Sequence, residues 1–84
     1  MTEKTPKQFL TERKRAYQEA FKGKGADLVM EDLARFCRAD ESTYSTDPRD
    51  HALLEGRREV YLRIQKHLNL SPDELVAYFN PQGV

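Results

Sequence analysis

The 84-residue sequence has a single cysteine, no tryptophan and no long hydrophobic run. One thiol, Cys37, cannot form a disulfide within the chain, and we expect it to be a small buried apolar residue. A membrane-spanning helix needs about 20 mainly apolar residues, and no such run occurs in this sequence. A secretory signal is also lacking. We therefore expect no membrane span, and synthesis under the reducing conditions of a cytoplasm.

Glycine and proline are also scarce, at four residues each, whereas 38% of the residues are hydrophobic and 33% are charged. The apolar residues recur with helical periodicity. These features predict an all-α fold: a small helical bundle of three main helices plus a short C-terminal helix, with a long loop between helices 2 and 3. We expect one domain over residues 1–84, with flexible ends at 1–4 and 81–84.

The clearest helix signal covers residues 47–68. Asp47 suits the N-cap, Pro48 suits the first helical position, and Asp50 adds negative charge to the first turn. Gly56 costs about 1 kcal/mol inside a helix, so we expect another backbone to approach closely there. The predicted buried face of this long central helix consists of Leu53, Leu54, Val60, Tyr61, Ile64 and Leu68.

Three shorter helices are predicted to pack against the central one. Capping-box patterns predict a first helix over residues 5–22 and a short fourth helix over residues 71–79. Gly23 and Gly25 are expected to end the first helix. The second helix is predicted to run from Ala26 or Asp27 to Arg38. Its predicted buried face consists of Leu28, Val29, Leu33, Phe36 and Cys37.

The net charge is zero, but the charges are unevenly distributed along the chain. Residues 1–25 hold seven Lys or Arg against three Glu, a charge of +4, and residues 26–56 hold three Arg against eight acids, a charge of −5. The basic segment could meet phosphate, could meet the acidic segment of a neighbouring copy, or could simply be a solvated helix face. Its candidates for contacting phosphate or a partner are Arg13, Lys14, Arg15, Lys22 and Lys24.

No pattern in the sequence predicts catalysis. An EF-hand starting at Asp40 would place Ser45 where a glycine is needed and His51 where a glutamate is needed. His51 and His67 lie about 24 Å apart along one helix, so they cannot bind one metal within a chain. A pair of Cys37 with either histidine lacks a third orienting group. The sequence also lacks a complete phosphate-binding loop. We therefore expect no enzyme activity, no metal and no cofactor.

Several residues around the loop between helices 2 and 3 are structural or interface candidates. Tyr44 is expected to anchor this polar loop, over residues 39–46, on the helices. Arg57 or Arg58 could hold the loop through a bidentate ion pair with Asp40 or Glu41, or the arginines here could simply form ion pairs along an exposed face of their own helix. The full set of candidates is Arg38, Asp40, Glu41, Tyr44, Gly56, Arg57 and Arg58.

Two runs carry a resemblance to a known family. LARFCRADESTY at residues 33–44, followed by LEGRREVYLRI at residues 54–64, resembles a family of small proteins encoded in tailed-bacteriophage genomes. That family is described as virion structural proteins and is typified by one from a Bordetella short-tailed phage. The resemblance covers about residues 21–68, so the basic first helix and the short fourth helix fall outside it.

The resemblance implies a phage particle component and carries over no catalytic residues. We therefore expect a non-enzymatic structural component of the virion, made in the bacterial host cytoplasm. Its expected partners are virion proteins and other copies of itself. Two alternatives remain open: a small phage protein that binds and modulates a host enzyme, and a nucleic-acid-binding accessory protein, whose affinity would fall steeply with salt.

Overall fold

A computed structural model describes residues 3–79 of the chain, which form four α-helices and, in that range, no strand. The predicted all-α fold is therefore confirmed. The helices are α1 (Pro6–Ala20), α2 (Gly23–Phe36), α3 (Pro48–Asn69) and α4 (Pro72–Phe79). Two predictions lie outside the described range: the stop of the fourth helix at residues 80–83 and the flexible C-terminal end at 81–84. The first two residues of the flexible N-terminal end also lie outside it.

The central helix α3 has the length and the N-terminal cap that the sequence predicts. The Asp47 side chain accepts a hydrogen bond from the Arg49 N–H at 2.9 Å, and Pro48 is the first helical residue. Lys66 places a positive charge in the last turn, where the helix dipole favours it. The helix runs through Gly56 without interruption and is about 33 Å long.

The helices α1 and α4 begin with the two predicted capping boxes. The Thr5 hydroxyl accepts from the Gln8 N–H at 3.1 Å, and the Gln8 side chain accepts from the Thr5 N–H at 2.9 Å. Ser71 and Glu74 make the same reciprocal pair at 3.2 and 3.1 Å. Each box satisfies two N–H groups that a helix start otherwise leaves unpaired.

The predicted boundaries of α2 were wrong at both ends. The helix starts at Gly23, before the expected Ala26 or Asp27, and both Gly23 and Gly25 lie in its first turn. Gly23 adopts a φ of +89°, which a glycine tolerates, and this turns the chain from α1 directly into α2. The first helix consequently ends at Ala20 instead of Lys22.

The second helix also ends early, at Phe36, in a Schellman motif. The Ala39 N–H donates to the Ala34 carbonyl at 2.9 Å, and the Arg38 N–H donates to the Arg35 carbonyl at 3.2 Å. Arg38 has a φ of +51°, a left-handed conformation that usually selects glycine at this position. The loop between α2 and α3 therefore covers residues 37–47.

Packing is concentrated at one end of the molecule. The helix α1 packs against α4 and the C-terminal half of α3, whereas α2 touches α3 only lightly. Cys37 is buried, as expected. The radius of gyration is 15.2 Å, compared with about 12 Å for a compact chain of this length. The buried apolar residues are Leu10, Ala26, Cys37, Leu54 and Leu75.

The predicted buried faces of α2 and α3 are only partly buried. Because no further layer covers them in the described chain, five of their large apolar residues are exposed. These residues are Leu28, Val29, Phe36, Leu53 and Val60. Within residues 3–79, no helix carries an apolar stretch long enough to cross a membrane.

Candidate interaction surface

His67 lies at the centre of the packed end, with 0% of its surface exposed. Its Nε2 accepts a hydrogen bond from Arg13 Nε at 2.8 Å. Because arginine only donates, the imidazole proton sits on Nδ1, which donates to the Arg63 carbonyl at 2.8 Å. Burial is the main cause that lowers the pKa of His67, and the nearby charges of Arg13, Arg63 and Lys14 lower it further. This histidine is therefore a neutral core residue.

Aromatic rings and cations surround this histidine. The Tyr17 ring stacks on the His67 ring with centroids 4.2 Å apart, and the Phe79 ring lies 5.2 Å away. The guanidinium groups of Arg13 and Arg63 lie over the Phe79 ring at 5.1 and 5.0 Å. We call these five residues the His67 cluster. Because its members come from α1, α3 and α4, the cluster joins these three helices.

The basic residues of the first segment differ in their surroundings. Arg13 belongs to the His67 cluster, and burial lowers its pKa. Lys14 Nζ donates to the carbonyls of His67 and Leu68 at 3.2 and 3.3 Å, near the C-terminal end of α3. Arg15, Lys22 and Lys24 are exposed. Two of the five candidate contacts for phosphate or a partner therefore make hydrogen bonds inside the protein.

Thr43, and not Tyr44, anchors the loop. Thr43 is 5% exposed, its hydroxyl donates to Glu55, and its carbonyl lies 3.0 Å from Nδ1 of His51. Tyr44 is 72% exposed, and its ring meets the His51 ring edge to face, with centroids 5.9 Å apart. The small threonine fits against α3 with its polar groups satisfied, whereas the larger tyrosine points outward.

The expected ion pair between the loop and α3 is not formed. Within residues 3–79, neither Arg57 nor Arg58 makes an ion pair with Asp40 or Glu41. Arg57 instead lies over the Phe36 ring at 4.5 Å, where the ring face attracts the guanidinium. The two acids line a small cavity of about 200 Å³ with residues of α2 and Arg38. No group of three metal-binding side chains occurs among the described residues.

An apolar face lies exposed at the other end of the molecule. On α2 it contains Val29 and Phe36, which are seven residues apart and so lie on one side of the helix. On α3 it contains Leu53, Gly56 and Val60, again on one side. Arg57 lies one turn from Leu53 and from Val60 and covers Phe36, so the two strips adjoin. We call these five residues the open face.

Gly56 lies in the middle of the open face with empty space above it. A Cβ added to Gly56 would meet no atom within 4 Å. The close backbone approach that we expected there is therefore not made by any described part of this chain. Gly56 remains a notch between the exposed side chains of Leu53 and Val60.

A groove runs along the adjoining side of α3, and Gly56 lies on the border between this groove and the open face. Its volume is about 700 Å³, and Leu62 and Tyr78 are its exposed apolar residues. Ala52, Gly56 and charged side chains of both signs line the rest of it, and Lys66 lies over the Tyr78 ring at 4.3 Å. This groove is more polar than the open face.

These features define a small all-α protein with one packed end and one open apolar face. Residues 17–79 match the family of Bbp19-like phage proteins, and this match covers well over half of the chain. The chain therefore belongs to that family, and the predicted relationship to phage proteins is confirmed. The match is wider than the 21–68 that the sequence indicated and includes all of α4. No curated protein and no solved structure matches the chain.

Proposed function

We propose that this protein is a non-enzymatic component of a tailed-phage particle and that it acts through protein–protein contacts. Its family is a phage family. The observation that carries the proposal is the open face, where α2 and α3 expose large apolar side chains side by side. Contiguous apolar surface of this kind is typical of protein–protein interaction sites. The protein would be made in the host cytoplasm and incorporated into the virion.

The charge distribution supports a protein partner over a nucleic acid. Arg13 and Lys14 form the centre of the basic run, and both side chains make hydrogen bonds inside the protein. Lys4 and Lys7 form ion pairs with Glu12 and Asp73. A phosphate-binding surface needs several free cations on one side. The first segment therefore offers fewer such cations than its net charge suggests.

The test is the composition of purified phage particles. Particles banded on a density gradient should contain this protein, detected by quantitative mass spectrometry, in a fixed ratio to the major capsid protein. A non-structural phage protein from the same lysate serves as the control and should be absent. If this protein is lost from the particles together with that control, the virion role is refuted and a host protein becomes the expected partner.

A salt titration tests the nucleic-acid alternative separately. Binding to DNA through phosphate contacts weakens steeply as salt rises. We expect no specific binding to duplex or single-stranded DNA at moderate salt, measured by fluorescence anisotropy. Tight binding with a steep salt dependence that Arg15→Ala and Lys24→Ala reduce would contradict the proposal of a protein partner.

A further inference from the structure

We propose that the open face binds a second copy of this chain, with α2 of each copy on the N-terminal half of α3 of the other. This inference rests on the proposed function, because it names one of the protein partners. It differs from the contact that the charge segments suggest, in which the basic first segment meets the acidic middle segment. Three basic side chains of that first segment already have partners inside the protein. Arg13 and Lys14 make hydrogen bonds, and Lys7 forms an ion pair.

The face has the form that a symmetric pair requires. A two-fold interface uses the same patch on both copies, so the patch must contain two complementary halves. The α2 strip presents Val29 and Phe36 as projecting side chains, and the α3 strip presents a notch at Gly56 between two apolar residues. A two-fold rotation can place each α2 strip on the α3 strip of the other copy.

The charges beside the two strips are opposite. Asp32 lies between Val29 and Phe36 on the same side of α2, is exposed, and forms no ion pair within residues 3–79. Arg49 and Arg57 lie one turn on either side of Leu53 on α3, where they outnumber the one nearby acid, Asp50. The proposed packing brings the carboxylate of one copy near these guanidinium groups of the other. Complementary charge of this kind fixes the orientation of an interface.

Gly56 gives an independent reason for a close contact. A glycine in an exposed helix interior weakens the helix, and nothing in the described chain requires one at this position. Without a Cβ, α3 can be approached closely by a neighbouring helix at this point. A second copy would supply the close approach that the single chain lacks.

The test compares two exposed apolar residues of α3 that are two positions apart. Val60 belongs to the open face, whereas the side chain of Leu62 projects from the opposite side of the helix and lines the far part of the groove. Sedimentation equilibrium of the full chain should show a concentration-dependent dimer. Val60→Asp should raise the dissociation constant at least about tenfold, because a charge is buried. Leu62→Asp should change it less than about threefold. The helical content of both variants is checked by circular dichroism.

Gly56→Ala provides a second test that does not threaten folding. Alanine favours the helix and has free space in the single chain, so the variant should fold well. It should nevertheless weaken the dimer, by about fivefold or more, because the added methyl overpacks the contact. A monomer at all concentrations would overturn the inference. So would a dimer that Leu62→Asp disrupts and Val60→Asp leaves intact.

The outcomes separate this inference from the proposed function. A monomer in solution that is still found in purified particles would refute only the pairing of copies. A dimer that is absent from purified particles would refute only the virion role.

Discussion

Two positions on α3, seven residues apart and on one side of the helix, have opposite surroundings. His67 is 0% exposed beneath α1 and α4, whereas Val60 is 60% exposed. The polar residue is therefore in the core, and the apolar residue faces outward. The difference arises because α1 covers only the C-terminal half of α3. Hydrophobicity alone does not decide which part of a helix is buried, because burial also requires another helix that packs against that part.

The comparison separates the stability of the molecule from its interactions. The His67 cluster contributes stability through stacking, hydrogen bonds and cation–ring contacts among three helices. The open face contributes little to the single chain, since few side chains cover it. We therefore expect substitutions at the packed end to change the free energy of unfolding, and substitutions at the open face to change binding.

The largest expected effect is that of His67→Ala. This change removes the ring between Tyr17 and Phe79 and leaves Arg13 Nε without its acceptor. We expect a loss of about 2–4 kcal/mol in the free energy of unfolding, measured by urea denaturation at low protein concentration.

Val60→Ala is the matched control for that experiment. It shortens a side chain on the same side of α3 as His67, but the Val60 side chain is mostly exposed. Its effect on the free energy of unfolding should be within about 0.5 kcal/mol. Equal losses for the two variants would contradict the division into a packed end and an open face. If His67→Ala does not fold, His67→Gln replaces it, with a smaller expected loss.

The second largest effect is expected from a decrease in pH, which should destabilise the packed end. The pKa of His67 is lowered in the folded protein by burial, and by the positive Arg13, Arg63 and Lys14. The unfolded chain therefore takes up this proton more readily, near pH 6.5. The contribution of the neutral histidine is fully present above that pH and is lost progressively as the pH falls below it. Thermal unfolding between pH 8 and 5 measures this loss, within roughly the range where histidine titrates.

The control for the pH experiment is His67→Gln. This variant keeps a polar side chain but cannot take up a proton. The loss of stability between about pH 7 and 5, the range in which histidine titrates, should therefore be smaller than in the wild type. A pH dependence that survives His67→Gln unchanged would contradict the assignment of this loss to His67.

Local signals in the sequence predicted the fold well. Caps depend on a few neighbouring residues, so Asp47, Thr5 and Ser71 could be placed correctly without knowledge of the packing. The glycines near residue 24 were misread because glycine serves both at helix ends and in turns between helices. Only the φ of Gly23 shows which role it has.

Tertiary packing was harder to predict than the helices. The periodicity of α3 identifies one side of the helix, but not which half of that side another helix covers. His67 falls on the same side as Leu53 and Val60, and that spacing was the available signal for a core role. Histidine was instead considered as a metal ligand. Thr43 was missed for a similar reason, because its burial depends on Glu55 and His51, which are distant in sequence.

A smaller stabilising effect is expected for Arg38→Gly. Arg38 has a φ of +51°, which costs a residue with a Cβ about 1 kcal/mol relative to glycine. Glycine should therefore raise the free energy of unfolding by up to about 1 kcal/mol, after its greater freedom in the unfolded chain is counted. Arg35→Gly, in the last turn of α2, is the control and should lower it by a similar amount. If both variants lose stability, the side chain of Arg38 matters more than its backbone conformation.

Gly56→Ala should have the smallest effect on the single chain, and its sign makes it informative. Because a Cβ at this position meets no atom within 4 Å, alanine should raise the free energy of unfolding by about 0.5–1 kcal/mol, measured below the dimerisation range. At high concentration the same methyl should weaken the dimer, so the gain should shrink or reverse as the protein concentration rises. Ala52→Gly, an exposed change one turn earlier in α3, should lower the stability at every concentration. A gain for Gly56→Ala that does not depend on concentration would mean that the open face stays uncovered by a second copy.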